Sequence, residues 1–124
     1  MSETDEIIIS FEGQRRDLND FAFDVFDREL NLGREKETPG GTIVIREMPL
    51  AKSAIGHAII EIAFFIGKNV AVPVFVAWLC AKWKRQGEKP ISIKIENNFY
   101  QFDPSLLTNA IEEAIAKQKK KKNW

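Results

Sequence analysis

The chain has 124 residues, the size of one domain and too short for two. Its 18 Lys and Arg residues balance 18 Asp and Glu residues, so no net field directs it to nucleic acid or to an anionic membrane. The single cysteine, Cys80, excludes an internal disulfide, and the acidic start lacks the basic and then apolar pattern of a signal peptide. We therefore expect a cytoplasmic protein.

The first third of the sequence predicts a strand, a helix and a second strand. Ile7–Phe11 is β-branched and aromatic, as strands are. Apolar residues recur at helical spacing over Asp17–Leu32, and Gly33 supplies a stop. After a glycine-containing turn, Thr42–Arg46 predicts the second strand. This succession suits a right-handed parallel crossover.

The middle of the chain is mostly apolar and predicts two helices in tandem, Leu50–Ile66 and Val70–Arg85. Gly67 and Asn69 lie between them, where they would end one helix and cap the next. Pro73 is compatible with the second helix because the N–H groups of a first turn have no intrahelical partner.

The last third predicts a hairpin and a final helix. Ile91–Ile95 alternates apolar and polar residues, and Phe99–Phe102 returns after a turn-like segment. Asp103 or Ser105 then caps a helix with an apolar stripe. The predicted fold is α+β, a two-layer mixed sheet with helices in the order β-α-β-α-α-β-β-α. Residues 1–116 form one domain, and residues 117–124 form a basic, disordered tail.

The apolar stretch Ile59–Cys80 has three interpretations: core, association surface or membrane span. It is long enough to cross a bilayer, and basic residues follow it. However, Lys68 near its middle costs about 2.5–3.5 kcal/mol on insertion. The favoured interpretation is a core helix with surplus apolar surface that binds a partner, and an inner membrane-associated protein is the alternative.

No pattern of residues predicts catalysis, a cofactor or a metal. The carboxylates of the first helix are evenly spaced and lack the contrasting environments that acid–base pairs need. His57 and Glu61 are four apart, which predicts a local hydrogen-bonded pair on a helix. Cys80 lies within apolar residues and is expected to be an inert thiol. We therefore expect no enzymatic activity.

Binding residues are predicted on two helices. Exposed apolar residues of the second tandem helix would contact a protein partner or a second copy, and the acidic stripe of the first helix would dock a basic partner. The predicted interaction residues are Val74, Phe75, Trp78, Trp83, Asp17, Asp20, Asp24 and Asp27. A nucleic-acid-binding module is a weaker alternative, in which lysines and tryptophans at Lys82–Arg85 and in the C-terminal tail contact phosphates and bases.

The succession of segments resembles the effector-associated constant component family, small adaptor-like domains of bacterial conflict and defence systems. The features that carry the resemblance are Ile7–Leu32, Thr42–Arg46, Val74–Leu79 with Lys82–Arg85 directly behind it, and Ile91–Glu96 before the last helix. The resemblance implies a non-enzymatic adaptor with no catalytic residue. Together with the surplus apolar surface, it predicts a self-associating interaction module that forms homo-oligomers.

Overall fold

The computed structural model describes residues 6–27, 31–47, 57–67 and 70–122. They form three helices and one six-stranded antiparallel sheet, which confirms the α+β class. In chain order the elements are β1 (Glu6–Gln14), α1 (Arg15–Val25), β2 (Glu35–Thr38), β3 (Gly41–Glu47), β4 (His57–Phe65), α2 (Val72–Arg85), β5 (Ser92–Ile95), β6 (Asn98–Tyr100) and α3 (Pro104–Lys122).

The strands lie in the order β2-β3-β4-β1-β5-β6, and every neighbouring pair is antiparallel. The predicted parallel crossover and mixed sheet are therefore wrong. Neither β2 nor β3, the strands that follow α1, lies beside β1, because β4 lies between β1 and β3 and β2 is at the edge of the sheet. β1 and β4 pair along nine residues each, from Glu6 opposite Phe65 to Gln14 opposite His57.

The predicted helix Leu50–Ile66 is also wrong in its described part, where His57–Phe65 forms β4. An apolar run bounded by glycines is compatible with a buried strand as well as with a helix. Here β1 and β3 supply hydrogen-bond partners on both sides of β4. β4 carries apolar residues on both faces, Ile59 on one and Ile60 on the other, so its sequence lacks the clear alternation of a strand with one polar face.

The other helices are confirmed with changed limits. α2 begins at Val72 with Pro73 in its first turn, as predicted. α1 is shorter than predicted, ending at Val25, and Asp27 beyond it has a positive φ of 53°. At the start of α3, the backbone N–H of Leu106 donates to Asp103 Oδ1 at 3.0 Å, so Asp103 is the cap. The backbone of α3 continues to Lys122, so the tail predicted as disordered is helical over residues 117–122.

The hairpin of β5 and β6 is confirmed, with a two-residue turn at Glu96 and Asn97. Both turn residues have positive φ, 52° and 67°, as a type I′ turn requires. β2, which the sequence analysis did not predict, forms a second hairpin with β3. Its short, charged sequence at one edge of the sheet is typical of an edge strand.

Helices pack on one face of the sheet, which we call the inner face. On β1 it carries Ile7, Ile9 and Phe11, each at most 3% exposed, and the core of the domain lies between this face and the three helices. Aromatic rings close the core at both ends. The ring centroids of Phe64 and Phe75 are 4.4 Å apart, and Trp83 stacks on Phe102 with a centroid distance of 4.7 Å.

The turn between β2 and β3 docks against the start of α2. The N–H of Ala71 donates to the Gly40 carbonyl at 2.9 Å. A Cβ at Gly40 would overlap the Ala71 carbonyl oxygen and approach the Phe75 backbone nitrogen. Gly40 also has a positive φ of 85°. Glycine is therefore required here for close approach as well as for conformation.

Replacing Gly40 by alanine should cost more stability than the same change at Gly33. Both glycines have positive φ, but nothing lies within 4 Å of a Cβ at Gly33. We expect G33A to cost about 1–2 kcal/mol from left-handed strain, and G40A about 1–3 kcal/mol more from overpacking. Urea unfolding of both variants measures the difference. Equal losses would show that the turn moves freely away from α2.

Candidate functional site

The acidic stripe of α1 faces basic residues of the same chain. Asp24 accepts hydrogen bonds from Lys82 Nζ at 3.3 Å, from Gln86 Nε2 at 3.2 Å and from Arg85. These donors lie in the last turn of α2 and just after it. Because Asp24 is 13% exposed and Lys82 17% exposed, the cluster is a partly buried clamp between the two helices.

The remaining aspartates of the stripe are also paired. Lys89 Nζ lies 3.5 Å from carboxylate oxygens of both Asp17 and Asp20. Asp27 binds Lys36 of β2. Docking of a basic partner on this stripe stays a prediction, and any such partner would compete with four cationic side chains of the same chain.

Hydrogen bonding dominates the ionisation of Asp24. Burial on its own would raise the pKa of this carboxyl, but hydrogen bonds from Arg85, Gln86 and Lys82 outweigh it and hold the pKa below its ordinary value of 3.8. The charged form is therefore stabilised in the folded state. This indicates that the stripe has a structural role in joining α1 to α2.

The predicted interaction residues of α2 have unequal access to solvent. Val74 is 50% exposed, whereas Phe75 is fully buried against Phe64. Trp78 and Trp83 are partly buried against the core. The Trp83 indole N–H donates to the Lys89 carbonyl at 2.7 Å. Most of the apolar surface of α2 is thus used inside the domain.

A concavity of about 690 Å³ lies where α1 meets the end of α2. It is lined by three aspartates of the stripe, by Gln86 and by Phe23, which is 42% exposed. Its aspartates are the ones already bound to Lys36, Lys82, Arg85 and Lys89. The carboxylates are therefore not available as a preformed cation site.

The second face of the sheet, which we call the open face, lies opposite the core, and of the described helices α3 reaches it with Gln118, which lines a depression there. On β1 it carries Ile8, Ser10 and Glu12, which alternate with the core residues. Three large apolar residues on this face are well exposed: Ile8 at 39%, Ile59 at 44% and Phe99 at 57%. They lie on three different strands, β1, β4 and β6, and together add apolar area to one face of the sheet.

A charged row crosses the middle of the open face. In the strand register, Ser10 of β1 lies opposite Glu61 of β4 on one side and Lys94 of β5 on the other. Ser10 is 7% exposed and lies in a depression of about 310 Å³ that both charged residues line. Within the described residues, neither Glu61 nor Lys94 forms an ion pair. The row therefore presents one negative and one positive group about a small central residue.

Glu61 also faces a like charge. Glu47 of β3 lies opposite it, next to an irregularity in the pairing of β3 with β4. Burial, together with the charge of Glu47 and a hydrogen bond between the two carboxyls, raises the pKa of Glu61 above its ordinary value of 4.5, against the opposing effect of Lys94. A cation placed over Glu61 would relieve this repulsion.

The residues weighed for chemistry do not come together. In a strand, the four-residue spacing of His57 and Glu61 separates their Cα atoms by about 13 Å, so the predicted helical pair is wrong. Cys80 is 4% exposed, and burial raises the pKa of its thiol. Across the described ranges, no group of three His, Cys, Asp or Glu residues could hold a metal. No described helix is long and apolar enough to cross a membrane.

The sequence interpretation missed the row of Glu61, Ser10 and Lys94. Alternation in Ile91–Ile95 placed Lys94 on a solvent face, but Glu61 was assigned to a helix. The row exists only because β4 and β5 flank β1, and one sequence carries no direct signal of that pairing.

Comparison of the chain with protein-family models, with curated proteins and with solved structures found no match. The resemblance noted in the sequence therefore stays a prediction, and functional inference depends on the described surfaces.

Asp24→Ala should destabilise the fold by about 1–3 kcal/mol, because it removes charged hydrogen bonds and leaves Lys82 partly buried without its partner. Asp20→Ala is the matched control in the same helix, since Asp20 is 49% exposed with one contact to Lys89 at 3.5 Å; it should cost under about 1 kcal/mol. Chemical denaturation measures both.

The pH dependence of D24A has a definite sign. Because the pKa of Asp24 is lowered on folding, this carboxyl stabilises the protein at pH values above its unfolded pKa, near 3.8. The stabilisation is lost as pH falls through the folded pKa. The difference in the free energy of unfolding between wild type and D24A should therefore become smaller below pH 3.8. A gap that widens on acidification would contradict the assignment.

Glu47→Gln should stabilise the protein at neutral pH by roughly 0.2–1 kcal/mol, because it removes a like charge opposite Glu61. Because the pKa of Glu61 is raised, its contribution to wild-type stability is fully present below pH 4.5 and is lost as pH rises through the folded pKa. The additional stability of E47Q relative to wild type should vanish below pH 4.5. Carboxyl ¹³C titration by NMR should also show a lower pKa for Glu61 in E47Q, and an unchanged value would refute the coupling.

Proposed function

We propose that this chain is a non-enzymatic, self-associating interaction module that works as an adaptor in a bacterial conflict or defence system. The observation that carries the proposal is the open face of the sheet, with Ile8, Ile59 and Phe99 exposed together on it. Burying such residues on binding contributes roughly 25 cal/mol per Å² of apolar surface. The bacterial setting and the adaptor role are supported by the sequence resemblance alone.

The proposed contact surface is the open face of the sheet and not α2, where the sequence predicted it. Phe75 is in the core and Trp83 is stacked inside the domain, which leaves Val74 as the best-exposed of the apolar residues predicted on α2. The open face of the sheet offers a larger contact surface than Val74 alone. Two sheets that pack face to face lie about 10 Å apart and bury every second side chain of each strand between them. The side chains of the open face alternate with the core residues in the same way.

The two alternatives from the sequence receive less support. A span through Ile59–Cys80 would need one continuous helix, but this stretch contains β4 and α2. For nucleic acid, Lys82 and Arg85 are held by Asp24, and the Trp83 ring lies 4.7 Å from that of Phe102. Lys84 of the same segment is exposed.

Ile59→Lys should abolish self-association by placing a charge at one of the three exposed apolar residues of the open face. Leu106→Lys is the matched control, because Leu106 is 52% exposed on α3, away from the sheet. Light scattering after size exclusion, over a concentration series, should give a mass above 14.2 kDa for wild type and L106K, and 14.2 kDa for I59K. Circular dichroism checks that I59K is folded. A wild-type protein that is monomeric throughout would overturn the proposal.

A further inference from the structure

The charges of the open face are arranged with opposite sign on either side of β1. Glu61 lies on β4 and Lys94 on β5, and Ser10 lies between them in one cross-strand row. Adjacent strands are about 4.8 Å apart, so the two charged residues stand roughly 10 Å apart across the sheet. Glu47 of β3, opposite Glu61, extends the row on that side, so negative charge lies on one side of β1 and positive charge on the other.

This arrangement is complementary to itself under one symmetry. If a second copy lies face to face with the first and the two-fold axis runs along β1, β4 of one copy faces β5 of the other. Glu61 then meets Lys94 of the second copy, twice per dimer. If the axis ran across the strands instead, Glu61 would meet Glu61 and Lys94 would meet Lys94, and like charges across an interface are strongly unfavourable.

We infer that two copies of this chain associate through their open faces about a two-fold axis along β1, with Glu61 and Lys94 forming reciprocal ion pairs around Ser10. This inference rests on the proposed function and specifies its partner and geometry. Isologous two-fold contact is the commonest arrangement of homo-oligomers.

The dimensions of the open face fit such a dimer. The two nine-residue central strands are each about 30 Å long, and six strands span about 24 Å, so the face measures several hundred Å². Stable interfaces bury about 800 Å² per partner, which is the same order. Ile8 is two residues from Ser10 on β1, so the axis brings it against its own copy. The second copy's Lys94 would also supply the cation that relieves the repulsion between Glu61 and Glu47.

Charge reversal tests the symmetry. E61K and K94E alone should each weaken dimerisation by roughly 100-fold, because every dimer then contains two like-charge contacts. An equimolar mixture of E61K and K94E should form a 1:1 heterodimer, since every contact is again between opposite charges. The double variant E61K/K94E should dimerise like wild type. Sedimentation velocity, with one chain fluorescently labelled, measures all four.

The outcomes separate this inference from the proposed function. A wild-type dimer that both single reversals leave unchanged, or a mixture that stays monomeric, overturns the two-fold arrangement while self-association stands. A wild-type monomer overturns both. If a reversal unfolds the domain by circular dichroism, the neutral pair E61Q and K94Q replaces it. Each should then weaken the dimer, and E61Q/K94Q should be less than additive, whereas strict additivity would count against the ion pair.

Discussion

The fold depends on the central position of β1. This strand pairs with β4 along its whole length and with β5 along half of it, and it directs Ile7, Ile9 and Phe11 into the core. A strand that is paired on both sides satisfies its backbone polar groups without solvent, which lets it lie in the middle of a small domain. The same geometry determines what the open face presents, since side chains on β1 alternate between the two faces.

Among the described residues, the three helices pack on one face of the six-stranded sheet. The three helices bury the inner face, and the clamp of Asp24 with Lys82, Arg85 and Gln86 joins α1 to α2 beside it. These contacts use the acidic stripe and the basic end of α2, two features that otherwise resemble binding surfaces. The open face is left with exposed apolar residues and a charged row without intramolecular ion pairs among the described residues. Self-association through this face would bury the surface that the helices leave exposed.

Local patterns were sufficient for part of the molecule. The start of β1, the helix that contains Pro73 and the β5–β6 hairpin were predicted, and the cap of α3 was predicted to be Asp103 or Ser105, because turn, cap and periodicity signals act over a few residues. The β2 strand and the early end of α1 were not predicted. Phe75, one of the interaction residues predicted on α2, belongs to the core. The sequence pattern of an apolar helix residue is the same whether its own domain or a partner covers it.

The sequence by itself determined the α+β class, the positions of most elements and the lack of a catalytic pattern. Only the tertiary structure decided that residues 57–65 are a strand, because a continuous apolar run is compatible with either structure until β1 and β3 supply hydrogen bonds on both sides. The same pairing decided that Glu61, Ser10 and Lys94 share one row, although 51 residues separate Glu61 from Ser10 along the chain. Cross-strand neighbours depend on strand order, which is a property of the whole chain and not of any local segment.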